Sequence, residues 1–291
     1  MGNYLKPHFL RVLRDLKEGG KGNTMLIIGE SINGTIQKVG EAILNRNDLF
    51  LRELARTQYE YGAHILDVNA GVAGGNEVED LPWLVDIVQK EVSLPLMIDS
   101  ANPEALKASL SVYRHSEPPI LNSISGEKEK WNKLFPVVSQ KKCRIVVLCM
   151  DDQGIPKTGE ERVRIAAKLF HQLTDADILP EYIYFDPLVL SVAVEPDAAL
   201  MTLGTLKMIR KNFPNSHTLC GVSNVSMGLP GRRLINRVFL TMAIYAGLDT
   251  LLIDVRDQAL LSSIYTSKIL VNQDPYCMEY LKAYRGKKIL L

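Results

Sequence analysis

Residues 64–100, HILDVNAGVAGGNEVEDLPWLVDIVQKEVSLPLMIDS, carry the pattern that decides the fold. Two short apolar runs, HILDVNAG (64–71) and LPLMIDS (94–100), each end in polar residues, and the stretch from Val78 to Glu91 between them reads as a helix. A strand, a helix and a second strand in succession indicate a βαβ unit with parallel strands. Because both runs are apolar almost throughout, we expect strands that are covered on both faces.

The same pattern recurs eight times along the chain. The runs that predict strands are MLIIGESIN (25–33), HILDVNAG (64–71), LPLMIDS (94–100), PILNSIS (119–125), RIVVLCM (144–150), YIYFDPL (182–188), TLCGVSN (218–224) and TLLIDV (250–255). Helices are predicted between them, for example over Asp48–Tyr61, Val78–Glu91, Gly159–Leu173, Ala198–Asn212 and Arg232–Ala246. Eight βα units in about 250 residues predict a (β/α)8 TIM barrel of the α/β class. An open, doubly wound sheet is the alternative, but GESINGTI (29–36) matches its glycine-rich turn poorly.

One domain accounts for most of the chain, with an addition at each end. Residues 1–24 are predicted to be an extension, with a short amphipathic helix from Pro7 to Lys17 and a GGKGN linker (19–23). The barrel domain is expected over residues 25–291, with an extra C-terminal helix from Pro275 to Tyr284 on its outside.

The composition limits the class of partner. The 291 residues include 46% hydrophobic residues and carry a net charge of only +1, so neither nucleic acid nor a membrane surface is an expected partner. No apolar run has the length of a membrane span and the N-terminus lacks a signal-peptide pattern, so a cytoplasmic protein is expected. The four cysteines and five histidines lack the spacing of a metal site, so no protein-bound metal is expected.

Polar residues, nearly all Asp or Asn, end the predicted strands, where a barrel places its chemistry. They are Glu30, Asn33, Asp67, Asn69, Asp99, Asn122, Asp186, Asn224 and Asp254. Capping of the next helix explains any single one about as well as function does, but a ring of them around one mouth is harder to explain by capping alone. No Lys or Arg ends a strand, which favours a neutral heterocycle with several N–H groups over a phosphate. A pterin fits, because its 2-amino group and N3–H can pair with one carboxylate.

Seven segments together resemble a known family, the methyltetrahydrofolate:corrinoid methyltransferases. These segments are IIGESING (27–34), ILDVNAG (65–71), LMIDSANP (96–103), ILNSIS (120–125), YFDPLVL (184–190), GVSNVS (221–226) and GRRLINRVFLTMAIYAGLD (231–249). The family includes free-standing acetogen enzymes and the folate domain of cobalamin-dependent methionine synthase. The resemblance runs through all eight units, from about Met25 to Tyr280. More distantly, the chain resembles dihydropteroate synthase, which shares the pterin-binding barrel.

The resemblance implies a role for each matched residue. Asp99, Asn122 and Asp186 match the residues that hold the pterin ring, and Asn224 matches the asparagine at N5 of the folate. The catalytic set is therefore expected to be Asn224, Asp99 and Asp186. Other residues expected to bind the folate or line its cavity are Glu30, Asn33, Asp67, Asn69, Gly221, Ser223 and Arg232. The loop MGLPGRR (227–233) departs from the acetogen pattern.

The resemblance also implies an activity and partners. The expected reaction moves a methyl group between N5 of tetrahydrofolate and the cobalt of a corrinoid such as cobalamin, in either direction. One such use is the methylation of tetrahydrofolate from methylcobalamin during methylamine- or betaine-type catabolism. The chain lacks the Asp-x-His-x-x-Gly motif and is expected to be too short for a corrinoid module. A partner corrinoid protein or free corrinoid is therefore expected, together with a homodimer.

Two other functions remain open from the sequence. The first is a dihydropteroate synthase, for which Arg232 and Arg233 could supply an anion site, although NAGVAGGNEVE (69–79) lacks the Ser-Thr-Arg run of that family. The second is a non-catalytic folate-binding protein, against which the near-complete set of motifs argues.

Overall fold

The computed structural model describes residues 25–141 and 143–290, and within them eight parallel strands close into one barrel in sequence order. The predicted TIM barrel is confirmed, and the open doubly wound sheet is excluded. The strands are β1 (Leu26–Asn33), β2 (Ile65–Asn69), β3 (Leu96–Asp99), β4 (Ile120–Gly126), β5 (Arg144–Asp151), β6 (Ile183–Asp186), β7 (His217–Gly221) and β8 (Thr250–Ile253).

Ten helices lie outside the barrel in the described part of the chain. They are α1 (Gln37–Leu44), α2 (Asp48–Glu60), α3 (Glu77–Glu91), α4 (Pro103–Val112), α5 (Lys128–Lys141), α6 (Gly159–Thr174), α7 (Ala198–Asn212), α8 (Arg232–Tyr245), α9 (Gln258–Leu270) and α10 (Met278–Arg285). Five helices had bounds predicted from the sequence, and these bounds are confirmed to within one residue at each end. They are α2, α3, α6, α7 and α8. The predicted C-terminal helix starts with a 3-10 turn, Pro275–Cys277, before α10. The helix and linker predicted within residues 1–24 lie outside the described residues.

The interior of the barrel is apolar, and each strand contributes to it. Its side chains are Leu26, Ile28, Ile65, Met97, Ile120, Val146, Tyr184 and Leu219, with Leu148 and Leu252 packed against them. Because successive side chains of a strand point to opposite faces, the residue two positions further on also faces the barrel axis. That step leads from Ile28 to Glu30, from Met97 to Asp99 and from Tyr184 to Asp186. The apolar interior is thus the floor of a polar cavity at the carboxyl ends of the strands.

Charged side chains are paired at the opposite, amino end of the barrel. Asp249, which precedes β8, is held by Arg210 Nη1 and His217 Nδ1 at 3.1 Å each, and by the backbone N–H of Thr218 at 2.9 Å. The charge of Asp249 is therefore satisfied within the protein, as is usual at the face of a TIM barrel that serves stability.

Two further features of the structure concern the cysteines and the apolar character of the helices. Cys143, Cys149 and Cys220 are buried and Cys277 is partly exposed, and no disulfide joins any of them within the described residues. None of the helices in the described ranges combines the length and the apolar character that crossing a bilayer requires.

Candidate active site at the carboxyl ends of the strands

Neighbouring strand ends are in register around one side of the barrel. Asn33 pairs with Asn69 across β1 and β2, Asn69 with Asp99 across β2 and β3, and Asp99 with Asn122 across β3 and β4. The Nδ2 of Asn69 donates to Oδ2 of Asp99 at 3.0 Å. The residues predicted from β1 to β4 therefore form a continuous polar wall, as the ring pattern of the sequence indicated.

Two aspartates in this wall are harder to ionise than exposed aspartates. Asp67 is only 2% exposed, and its Oδ1 has no hydrogen-bond partner among the described residues. Burial, together with the charges of Asp99 and Glu30, raises the pKa of Asp67 well above its usual value. Burial also raises the pKa of Asp99, against the lowering effect of the Asn69 hydrogen bond. A carboxyl group that keeps its proton can donate a hydrogen bond as well as accept one.

Asp186, across the cavity at the end of β6, has a different environment. Burial raises its pKa to about 6, while a hydrogen bond from the backbone N–H of Leu188 and the charge of Arg162 act to lower it. The Leu188 N–H lies 2.7 Å from Oδ1 of Asp186. Asp186 is therefore mainly a carboxylate at neutral pH.

Arg162 is a component of this site that the strand-end pattern did not reveal. It lies in α6 and is 1% exposed. Its Nη1 donates to the carbonyls of Pro187 and Leu188 at 2.7 and 2.9 Å, and its Nε donates to the carbonyl of Pro156 at 3.0 Å. Since its partners are backbone groups in two loops, no residue-type motif could have predicted the contact.

Glu30 lies on β1 close to Asp254, the residue that follows β8. Burial and the charge of Asp254 raise the pKa of Glu30 to about 7, although the charge of Arg232 and a hydrogen bond from the Asp254 backbone N–H act to lower it. Asp254 itself forms a two-pronged ion pair with Arg256, with both N–O distances at 2.8 Å. Glu30 thus changes charge near neutral pH, whereas Asp254 is held by a neighbouring cation.

Asn224 lies on a short 3-10 turn, Val222–Ser226, that follows β7, and its side chain is exposed to the cavity mouth. Arg232 fixes this turn, because Nη2 donates to the Ser223 carbonyl at 2.8 Å and Nε donates to Ser226 Oγ at 3.1 Å. Gly221 gives the Asn224 amide room, since a Cβ at 221 would lie 3.3 Å from Asn224 Nδ2 and push it aside slightly. Arg232, Ser223 and Gly221 therefore support Asn224 in position.

Some of the predicted ring residues have a local structural role. Asn33 Oδ1 accepts hydrogen bonds from the backbone N–H and the Oγ1 of Thr35, at 3.0 and 2.7 Å. Asn69 Oδ1 accepts from the Gly71 N–H at 2.8 Å. These local hydrogen bonds therefore account for the side-chain oxygen of each asparagine, as the capping alternative expects. The side-chain NH2 groups are left for other contacts.

Across residues 25–141 and 143–290, no three or more His, Cys, Asp or Glu side chains lie in a grouping suited to a metal ion.

A closed parallel barrel with carboxyl and amide groups converging above an apolar floor defines an enzyme-type site for a small, polar ligand. Comparison with known proteins makes the class definite. The chain belongs to the pterin-binding enzyme family, whose model matches residues 30–254.

Known relatives agree with this assignment. The chain is 36% identical over 267 residues to the methylcorrinoid:tetrahydrofolate methyltransferase of Eubacterium limosum, covering 91% of this chain and 98% of that protein. It is 28% identical over 243 residues to the methionine synthase of Mycobacterium leprae, covering 79% of this chain but only 20% of that protein. The expected resemblance and the enzyme class, a methyltransferase, are confirmed.

Solved structures share the fold. Dihydropteroate synthase from Xanthomonas albilineans in complex with 7,8-dihydropteroate superposes with a TM-score of 0.64 at 17% identity, covering 85% of this chain and 94% of that one. Dihydropteroate synthase from Yersinia pestis with a pterine-sulfa conjugate gives a TM-score of 0.62 at 14% identity, covering 86% and 95%. At these identities the likeness shows the barrel alone.

Proposed function

We propose that this protein transfers a methyl group between N5 of a tetrahydrofolate and the cobalt of a corrinoid. The observation that carries the proposal is the unequal ionisation of the carboxyls at the strand ends. Asp186 is mainly ionised at neutral pH, whereas burial and the charges of Asp99 and Glu30 raise the pKa of Asp67 well above its usual value. A pterin needs such a mixture, because one edge carries N–H donors and its other ring nitrogens include acceptors.

Each side chain receives a specific task in this proposal. The Asp186 carboxylate accepts hydrogen bonds from the 2-amino group and N3–H of the pterin. Asp99 and Asn122, in register on β3 and β4, contact the ring nitrogens further along. Asn224, supported on its turn by Arg232, lies at N5. Asp67, Asn69, Asn33 and Glu30 line the remaining wall.

The reaction itself requires N5 to become a better leaving group. In the direction towards the corrinoid, the N5–methyl bond breaks, N5 keeps the electron pair and gains a proton, and the cobalt(I) electron pair forms the new cobalt–carbon bond. In the opposite direction N5 attacks the cobalt-bound methyl and loses its proton. The Asn224 amide can donate or accept as N5 changes state. One well-placed donor of this kind contributes about 3 kcal/mol to lowering the barrier.

Dihydropteroate synthesis is the weaker alternative, because it needs a site for the departing pyrophosphate. The two arginines considered for that site are arranged differently. Arg232 is hydrogen-bonded to its own loop, and the side chain of Arg233 is 88% exposed, with its Nε 4.0 Å from Asp257. This arrangement favours methyl transfer.

A corrinoid carried by a partner protein would approach the open mouth of the barrel. Exposed apolar side chains lie on the loops around that mouth, with Val194 84%, Met227 57% and Ile36 44% exposed. The loops of Val194 and Met227 are joined, since Ser191 Oγ donates to the Met227 carbonyl at 2.5 Å. We assign this rim to the corrinoid protein, and a cytoplasmic location suits a reaction that uses reduced cobalt.

A homodimer is part of the proposal. Leu234, Val238, Met242 and Tyr245 follow one face of α8 at intervals of four, four and three residues, and they are 61, 54, 42 and 73% exposed. An apolar stripe at this spacing on an outer helix is typical of an interface, and a second copy can cover it by two-fold symmetry.

The experiment that separates methyl transfer from the alternatives starts from tetrahydrofolate and methylcobalamin, with 5-methyltetrahydrofolate measured by chromatography. We expect this product and no dihydropteroate from p-aminobenzoate and a dihydropterin pyrophosphate. Dihydropteroate formation would instead establish the synthase. Tight folate binding with turnover of neither substrate pair, with free and with protein-bound corrinoid, would establish the binding protein.

A further inference from the structure

We propose that Arg162 is the positioning residue for Asp186: it fixes the turn that aims this carboxylate into the cavity and keeps the carboxylate ionised for the folate. The inference rests on the proposed function, since it concerns how the same site recognises the N–H edge of a pterin. Arg162 does not itself line the cavity, and it acts through its contacts with two loops.

The first step is the geometry of the guanidinium group. Arg162 reaches from α6 to the β5–α6 loop at Pro156 and to the β6–α7 loop at Pro187 and Leu188. Three carbonyls from two loops therefore converge on one buried side chain. A planar guanidinium suits this task, because its donors have a fixed fork geometry that a lysine ammonium lacks.

The second step connects this clamp to Asp186. Leu188 has a left-handed backbone, with φ of 66°, which is uncommon for a residue other than glycine. In this conformation its N–H turns back to Oδ1 of Asp186 at 2.7 Å, while its carbonyl accepts from Arg162. Arg162 therefore holds the residue that in turn orients the carboxylate.

The third step is the charge. Burial disfavours the anionic form of Asp186, and its charge in turn helps to raise the pKa of the buried thiols of Cys149 and Cys220. The positive charge of Arg162 opposes the effect of burial and lowers the pKa of Asp186. The two charges stabilise each other. Burial lowers the pKa of Arg162, and the negative charge of Asp186 acts to raise it. An uncharged residue at 162 would leave only the Leu188 N–H to oppose the effect of burial on the pKa of Asp186.

The test compares binding of 5-methyltetrahydrofolate by calorimetry between pH 5 and pH 9 for the wild type, Arg162→Gln and Arg162→Lys. The control is Arg164→Gln, which removes an exposed arginine two residues away on α6. In Arg162→Gln we expect the pH midpoint of binding to move upwards. If the midpoint rises by one pH unit, the affinity falls about fivefold at pH 6 and about twofold at pH 7. A merely structural defect would weaken binding equally at every pH.

Arg162→Lys separates charge from geometry and serves if Arg162→Gln does not fold. Lysine keeps the positive charge but cannot donate to all three carbonyls, so we expect a midpoint near that of the wild type and weaker binding at all pH values. In a protein that already carries Asp186→Asn, adding Arg162→Gln should not change the pH dependence of folate binding. The inference is overturned if Arg162→Gln folds and binds with the affinity and pH midpoint of the wild type. If only Arg162→Lys folds, wild-type affinity in that variant overturns it. Failure of the wild type to bind the folate would instead overturn the proposed function.

Discussion

Single residues decide what this cavity can bind, because its carboxyl groups differ in how readily they ionise. Asp186 has a backbone N–H donor and a buried arginine nearby, whereas Asp67 has an oxygen without a partner among the described residues. The same residue type therefore serves as an acceptor on one side of the cavity and as a proton-bearing group on the other.

A pH dependence of folate binding follows from Asp186. The carboxylate form is the one that accepts from two N–H groups, and its pKa is about 6. The contribution of Asp186 to affinity should therefore be constant above about pH 7 and fall as the pH drops through 6. Asp186→Asn should remove most of this dependence and weaken binding at pH 8 by about 2 kcal/mol, since hydrogen bonds to a charged acceptor are lost. Calorimetry of both proteins, with the exposed Asp175→Asn as the control, checks this; equal affinities at pH 8 would remove Asp186 from the pterin site.

Asn224 is expected to act on the rate of methyl transfer more than on binding. Its amide is held over the mouth by a turn that does not depend on it, so Asn224→Ala should fold normally. We expect kcat to fall about 100-fold with little change in folate affinity, since a donor aimed at developing charge is removed. Steady-state kinetics and calorimetry together measure both quantities, with Asn212→Ala on α7 as the control. A large loss of affinity with unchanged kcat would assign Asn224 to binding.

The residues of the site were predictable from the sequence to the extent that they end strands. The alternation of side chains carries Glu30, Asp99 and Asp186 into the cavity, so a strand assignment was enough to find them. Arg162 was not predictable in this way, because its three partners are main-chain carbonyls up to 26 residues away. The sequence also showed no cation at the strand ends, whereas folding brings the Arg162 and Arg232 side chains towards them from helices.

Among the elements, strands were easier to predict than some of the helices. Each strand is an apolar run ended by a polar residue, and this signal survives because both faces are buried. The sequence pattern does not predict the bounds of α1, α4, α5 and α9. Helix α1 has only 8 residues and no side-chain N-cap, and α5 contains Pro136, so their local signals are weak. The packing of these helices on the barrel compensates for that weakness.

The amino ends of β7 and β8 should depend on Asp249. Although burial acts to raise its pKa, the charge and hydrogen bond of His217 and the charge of Arg210 lower the pKa below the usual value. A carboxyl group whose pKa is lower in the folded protein stabilises the folded state fully at pH values above its unfolded-state pKa, which is near 3.9 for Asp. This stabilisation is lost as the pH falls through the folded-state pKa. Asp249→Asn should therefore lower the free energy of unfolding at pH 7 by about 3 kcal/mol.

Urea unfolding of the wild type and Asp249→Asn at several pH values measures this effect. The difference between the two proteins should be full at pH 7 and shrink below about pH 4. An exposed substitution, Asp177→Asn, is the control and should show little difference at any pH. A constant difference across this range would mean that Asp249 contributes by packing rather than by its charge.

For the molecule as a whole, the apolar stripe on α8 predicts a dimer. Val238 lies in the middle of the stripe, and Val238→Asp would place a charge at the centre of the interface, which charged residues rarely occupy. Analytical ultracentrifugation should show a dimer for the wild type and a monomer for the variant, with the same circular dichroism spectrum. Val194→Asp, on the rim of the cavity, should remain dimeric. A monomeric wild type at micromolar concentration would contradict this interface.

The measurement that tests the central claim most directly is an anaerobic spectrophotometric assay with 5-methyltetrahydrofolate and cob(I)alamin. The account predicts that the absorption of cob(I)alamin disappears while methylcobalamin appears, and that Asn224→Ala slows this change. Protein-bound corrinoid should be tried in parallel, because the rim loops are assigned to a partner. If neither form of corrinoid gains a methyl group although calorimetry shows that the folate is bound, the claim of methyl transfer is contradicted.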